Sequence, residues 1–289
     1  MNKLLEGNRI YYVVGAMVLT SVIIFLSLAK KKSLQALNWS NDANFFTNSD
    51  GKNLSKLASN VGITLQRNKG LGGSYDKSKY QSYKTNSNVY WAIYDINNDK
   101  LIATSSNAST NVYGASVPKV CVSAAAFSKT NGKLPSDSDY EKVIKLLVQS
   151  DNNVWTAVQN IAGGDDGVNS WASYMGYKMK PARKGGNQSN AIDMCKFWAD
   201  VCYNRFAGAD NIFRITSSCQ TSASRSKKLM PTNVLIGGKT GSWESYNHDT
   251  CWIQNGNRFY SISVLTTLGS AGSDAIAQMF RGLYEEYAN

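Results

Sequence analysis

The chain has 289 residues, enough to bury a sizeable core in one large domain or two small ones. Apolar residues make up 43% and charged residues 18%, which excludes a largely disordered chain. The net charge of +11 is scattered rather than gathered into a basic run with aromatics, so it implies attraction to anionic surfaces and argues against specific nucleic-acid binding.

In chain order, residues 1–9 are a short tail. Residues 10–29, "IYYVVGAMVLTSVIIFLSLA", carry no charge, and twenty such residues span a bilayer as a helix. Lys30, Lys31 and Lys32 follow directly, which predicts an uncleaved anchor rather than a signal peptide. The flanking charges conflict with the orientation argued below. Lys3, Arg9 and the terminal amine stand on one side and three lysines on the other, which by the positive-inside rule leans toward an internal domain. Residues 30–84, rich in Asn, Ser, Gly and Lys, read as a polar spacer with one short helix at 54–61.

From residue 85 the pattern tightens into a folded domain reaching 289. "VYWAIYDINNDKLIATS" reads as two strands turning at Asn97-Asn98-Asp99. Helices are predicted at 115–129, 140–149, 153–161, 168–175 and 191–203, the last capped by Asn190. "NVLIGGKTGS", "HDTCWIQ" and "RFYSISVLTTL" read as strands, and 273–287 as a closing amphipathic helix. The order gives an α/β (α+β) fold: an antiparallel sheet flanked by helices, with a small helical subdomain.

Five cysteines (Cys121, Cys195, Cys202, Cys219 and Cys251) and the single His248 show no zinc-ligand spacing. Cys121 reads as core. One disulfide among the others is allowed, and an odd count leaves a free thiol.

Three short motifs carry chemistry. Ser116-x-x-Lys119 opens an apolar helix with Pro118 in its first turn. Residues three apart share a helix face, so Lys119 is expected to reach the Ser116 hydroxyl. A buried lysine loses its proton easily and serves as a base. The same spacing occurs at Ser49, Ser74 and Ser224 in loop-like sequence, where an ordinary capping or surface role suffices. Ser150-Asp151-Asn152 is the single SDN, between two helices, and Lys239-Thr240-Gly241 the single KTG, at a strand end. Each alone is explained as helix or strand punctuation.

Together, in this order and in these elements, they resemble the penicillin-recognising serine hydrolases: class A β-lactamases and low-molecular-weight penicillin-binding proteins. The resemblance covers residues 89–287. It implies a β-lactamase/transpeptidase-like fold, Ser116 as nucleophile and Lys119 as its base. Ser150 is implied as the proton relay to the leaving nitrogen, and Lys239 as a positive field supporting Ser150. Asn152, Thr240, Gly241 and Ser242 are implied as substrate-binding, with the backbone N–H groups of Ser116 and Ser242 as the oxyanion hole. Arg225 is either a substrate-carboxylate ligand or one surface charge of "SRSKK". His248 reads as a strand residue with a hydrogen-bond partner, and Trp243, Glu244 and Tyr246 as bordering the site. No cofactor or metal is implied.

The chain departs from class A enzymes in one respect that matters chemically. Between Asn152 and Lys239 there is no glutamate, the residue whose place in an Ω-loop gives the family its deacylating base. "YKMKPARKGGNQSN" is basic and glycine-rich instead, and Asp165 and Asp166 read as a helix N-terminal cap. The stretch between the first two motifs is also short. The expected activity is therefore a membrane-anchored D,D-peptidase of penicillin-binding type, acylated on Ser116 by peptidoglycan stem peptides or β-lactams. Its domain is expected outside the cytoplasm, where peptidoglycan lies. The alternatives are a class A-like β-lactamase with an unidentified base, and a non-catalytic β-lactam or peptidoglycan sensor.

Overall fold

A computed structural model of the chain describes residues 33–288. The anchor predicted at 10–29 lies outside them. Among the described residues no helix is long and apolar enough to cross a membrane.

The elements in order are α1 (Gln35–Ser40), α2 (Leu54–Asn60), α3 (Lys77–Lys84), β1 (Val89–Asp95), β2 (Lys100–Thr104), β3 (Val112–Tyr113), α4 (Lys119–Lys129), α5 (Asp137–Ile144), a π-helical turn (Lys145–Gln149), α6 (Trp155–Ile161), α7 (Gly164–Tyr174), β4 (Gln188–Ser189), α8 (Ala191–Cys202), α9 (Ala209–Thr216), α10 (Ser226–Leu229), β5 (Leu235–Trp243), β6 (Tyr246–Asn255), β7 (Arg258–Thr266) and α11 (Gly272–Tyr287). Five strands form one antiparallel sheet in the order β2-β1-β7-β6-β5, as the predicted hairpin and three C-terminal strands require.

Both faces of this sheet are covered over β1, β5, β6 and β7, which are buried along most of their length. Val89, Trp91, Ile93, Cys251, Ile253, Ile262 and Val264 face α11 and α3, where Ile276, Met279, Phe280 and Leu283 close one core. Ala92, Trp252 and Phe259 point the other way, into a core with the remaining helices. There α8 lies close to the strands because small residues make room. Cys195 Sγ reaches Ala92 O at 3.3 Å and Ser263 Oγ at 3.4 Å. The cap predicted at Asn190 is present, its Oδ1 accepting from Asp193 N at 2.8 Å. α4 is the axis of the helical layer, buried from Lys119 to Phe127.

Two expectations change. Residues 30–84 are no free spacer: from residue 34 onward they belong to the same compact unit as the sheet. Trp39, Phe45, Leu54 and Leu57 are buried, and residues 42–50 satisfy the polar groups of α9. Asp210 accepts from Ser49 N at 2.8 Å, Asn211 Oδ1 takes Asn48 Nδ2 at 2.9 Å, and Arg214 binds Phe45 O and Asp42. Burying those polar side chains without partners costs about 1–3 kcal/mol each, which is why the segment stays down. Second, all five cysteines are free and buried, so the allowed disulfide is not formed.

Candidate active site

Ser116 lies in a turn just ahead of α4, which begins at Lys119 rather than 115 as predicted. Ala115 is at φ 51, where side chains with a Cβ are rarely found, and this breaks the helix before Ser116. The turn is held from both sides. Gly114 N donates to Asn187 O at 2.7 Å, and Tyr113 O meets His248 Nε2 at 2.8 Å. Thr266 N donates to His248 Nδ1 at 3.2 Å, so the ring proton sits on Nε2 and is given to Tyr113 O. Burial pushes the imidazole down to about 4, keeping it neutral in this clamp. His248 is thus a bonded strand residue that fixes the approach to Ser116.

Ser150 is delivered by the π-helical turn, after which it takes a left-handed conformation at φ 63. Its hydroxyl lies between two buried amines, 3.2 Å from Lys119 Nζ and 2.9 Å from Lys239 Nζ. Lys119 Nζ also donates to Ser150 O and Asn152 Oδ1, both at 2.6 Å, and Lys239 Nζ to Thr240 O at 3.0 Å. No hydrogen bond joins Lys119 to Ser116 Oγ. The expected reach is taken up by Ser150 and Asn152 instead. A neutral amine has two N–H groups and one lone pair. With the two donors spent on Ser150 O and Asn152 Oδ1, the lone pair is left for a hydroxyl proton.

Both lysines are fully buried. Burial first, then the charge of Lys239, pull Lys119 down to about 7; Asp151 opposes them, and Arg183 adds the smallest downward effect. Burial lowers Lys239 to about 8. Neither has a carboxylate in ion-pair reach among the described residues, so the two amines compete for protons in the neutral range.

β5 completes the cleft with Thr240, Gly241 and Ser242. Gly241 is required sterically: a Cβ there would stand 2.7 Å from Gly114 O and 3.0 Å from Ser116 N. Thr240 Oγ1 is bonded to Thr221 Oγ1. Arg225 is no surface charge, being 8% exposed. Its guanidinium donates to Gly241 O at 3.1 Å, His248 O at 3.0 Å, Asn247 Oδ1 at 3.0 Å and Ser242 Oγ, with Nε on Ser273 Oγ at 3.5 Å. With all five donors spent on the protein, it braces the end of β5 and has none left for a ligand carboxylate.

Ser116 divides the cleft into two lobes. One, of about 380 Å³, is lined by Ser150, Asn152, Thr221, Thr240 and Ser242, with Arg225 at its wall. The other, of about 300 Å³, carries Tyr113, Asn152, Trp155, Arg183, Asn187 and Trp243. Of the three residues expected to border the site, Trp243 lines the smaller lobe, Tyr246 stands behind it with its ring 5.6 Å from that of Tyr113, and Glu244 is exposed and lines neither lobe. Sequence reading missed Trp155, Thr221 and Arg183. Trp155 was findable, one helical turn after Asn152. Arg183 was not, because distant residues turn its loop inward: Gln159 Oε1 accepts from Arg183 N at 2.9 Å, and Asp165 Oδ1 from Lys184 N at 3.0 Å. The helix cap expected at Asp165 and Asp166 is not formed: Gly163 holds the cap position without a side-chain bond, and Asp165, in the first turn, holds the loop instead.

A sequence profile described as "Beta-lactamase enzyme family" matches residues 133–287, more than half of the chain. The chain belongs to that family. It is a serine hydrolase, and the match covers the second and third motifs. Among solved structures, a beta-lactamase from Chitinophaga pinensis is 18% identical with a TM-score of 0.61, covering 74% of this chain and 99% of its own. A class A beta-lactamase from Bacteroides cellulosilyticus gives 18% and 0.61, over 74% and 98%. A beta-lactamase from Sphaerobacter thermophilus gives 17% and 0.61, over 73% and 97%. These likenesses establish the β-lactamase-like fold. No curated protein matches the chain by sequence.

Proposed function

We propose that this family member is a D,D-peptidase of penicillin-binding type, acylated on Ser116 by D-alanyl-D-alanine peptides and by the β-lactams that mimic them. Residues 10–29 anchor it, with the folded unit outside the cytoplasm. The observation that carries the reading is the charge of the cleft: none of the residues lining either lobe is acidic, and Arg183 and Lys184 stand in the loop between the second and third motifs.

In this mechanism neutral Lys119 takes the Ser116 proton as Oγ attacks the carbonyl carbon. The N–H groups of Ser116 and Ser242 receive the developing oxyanion. Ser150, between the two amines, passes a proton to the leaving nitrogen, while charged Lys239 supports it and Thr240 takes the substrate's carboxylate. Asn152 binds the amide of the acyl side chain. Arg225 positions the Gly241–Ser242 backbone.

Two outcomes follow from the lysine pair and from Gly241. Acylation requires Lys119 neutral and Lys239 charged, so its rate falls below pH about 7 and above about 8. A bell with limbs near these values is expected from second-order acylation rates; a flat profile from pH 6 to 9 contradicts the assignment. Gly241→Ala forces β5 away from the Ser116 turn and spoils the oxyanion geometry, lowering acylation by about 10²–10³-fold without unfolding the chain. Stopped-flow acylation and circular dichroism check the two halves of that statement.

Release of D-alanine from an acyl-D-alanyl-D-alanine tripeptide tests the peptidase reading, and no release above a Ser116→Ala control refutes it. Protease treatment of intact spheroplasts tests the anchoring, since a protected folded unit contradicts an extracytoplasmic domain. A second reading, a slow β-lactamase, is favoured by the structural neighbours, which are themselves beta-lactamases.

A further inference from the structure

The smaller lobe holds a cation whose side-chain donors the mechanism above does not use; Arg183 enters it only through its charge. Arg183 lines the 300 Å³ lobe together with Ser116, Asn152 and Trp155. Its backbone is fixed, with Arg183 N on Gln159 Oε1 at 2.9 Å, and Lys184 N and Gly185 N on Asp165 Oδ1 at 3.0 and 3.3 Å. Gln159 is itself 5% exposed and tied to Asp165 Oδ1 at 2.9 Å, so the loop is braced before any ligand arrives. The guanidinium lies 5.2 Å from the Trp155 ring centroid and spends one N–H on Thr156 Oγ1 at 2.8 Å. Its remaining donors have no protein partner. Among the described residues no carboxylate forms an ion pair with Arg183 or with Lys184 beside it.

A braced, unpaired guanidinium stacked over an indole in a lobe without acids is suited to a carboxylate, which it can take with two parallel N–H donors. The substrate's terminal carboxylate belongs in the other lobe, with Thr240. Arg183 stands on the Asn152 side, where the acyl side chain lies. We infer that the cleft selects acyl donors carrying a second carboxylate on the acyl side, held by Arg183, with Lys184 adding charge and Trp155 packing the adjoining apolar part. This rests on the acyl-transfer reading of Ser116.

Benzylpenicillin and carbenicillin isolate this feature, because they differ by one carboxylate on the carbon that bears the phenyl ring. The quantity to measure, on the full chain, is the ratio of their second-order acylation constants, carbenicillin over benzylpenicillin. The ratio cancels whatever a substitution at 183 does to Lys119. Arg183→Gln is expected to lower it about fivefold, the scale of one partly exposed charge pair. Arg183→Lys should keep most of it, and added salt should shrink it in the unaltered chain but not in Arg183→Gln. A ratio unmoved by Arg183→Gln overturns the inference while leaving acyl transfer intact. Failure of both penicillins to acylate the unaltered chain removes the acyl-transfer reading and this inference with it.

Discussion

Lys119→Met is expected to lower acylation of Ser116 by about 10²–10⁴-fold, the usual contribution of a general base. The size follows from the site. Lys119 is wholly buried, pushed down to about 7, and its two N–H groups are directed at Ser150 O and Asn152 Oδ1. The other candidates are weaker: His248 is locked to Tyr113 and Thr266, and Lys239, lowered only to about 8, keeps its proton more of the time in the neutral range. The same substitution separates chemistry from folding. Lys119 is held below the ordinary lysine value, so between pH about 7 and 10 the unfolded chain binds more protons than the folded one. Stability therefore rises with pH across that window, by at most about 1.4 kcal/mol per pH unit for each such lysine. Lys119→Met should flatten that slope in urea titrations at pH 8 and 10 while the chain stays folded. Loss of acylation together with an unchanged slope means that Lys119 is not the titrating base.

The second large effect concerns what happens after acylation. With Arg183 and Lys184 lining the cleft and no acidic residue in either lobe, water has no carboxylate base to activate it. Benzylpenicillin consumption, followed by the loss of β-lactam absorbance, should show a burst near one equivalent. The steady rate after it should lie about 10²–10⁴-fold below what a placed base supports. Sustained multiple turnover without a burst contradicts this and means that a base acts from outside the lining residues. Asp151 is the nearest such carboxylate in charge terms, because its field is felt at Lys119, but its Oδ1 already accepts from Asn153 N at 2.8 Å.

Much of this was legible in the sequence, and the boundary of legibility has a physical form. Strands β1 and β5–β7 showed themselves as apolar runs broken by turn residues. The three motifs stood at element ends, where side chains converge. α9, in contrast, carries its apolar stripe (Ala209, Ile212 and Phe213) over only eight residues, and its polar side, Asp210, Asn211 and Arg214, is buried as well. Its partners at 42–50 lie more than 150 residues away, and for the same reason residues 34–84 read as a spacer. Arg225 in "SRSKK" and Arg183 in "PARKGG" look alike as surface charges. Contacts made far along the chain turn one into a brace for β5 and aim the other at the cleft. The exact partner of Lys119 was equally out of reach, because a π-helical turn and a left-handed Ser150 decide it.

The proposed chemistry stands or falls with Ser116 carrying the acyl group and keeping it. Intact mass of the full chain after mixing with benzylpenicillin, followed over hours and mapped by peptide digestion, tests this most directly. The expected result is a single penicilloyl adduct on the Ser116 peptide that persists after free drug is removed and is absent in Ser116→Ala. No adduct on the unaltered chain, or one that survives Ser116→Ala, would contradict it.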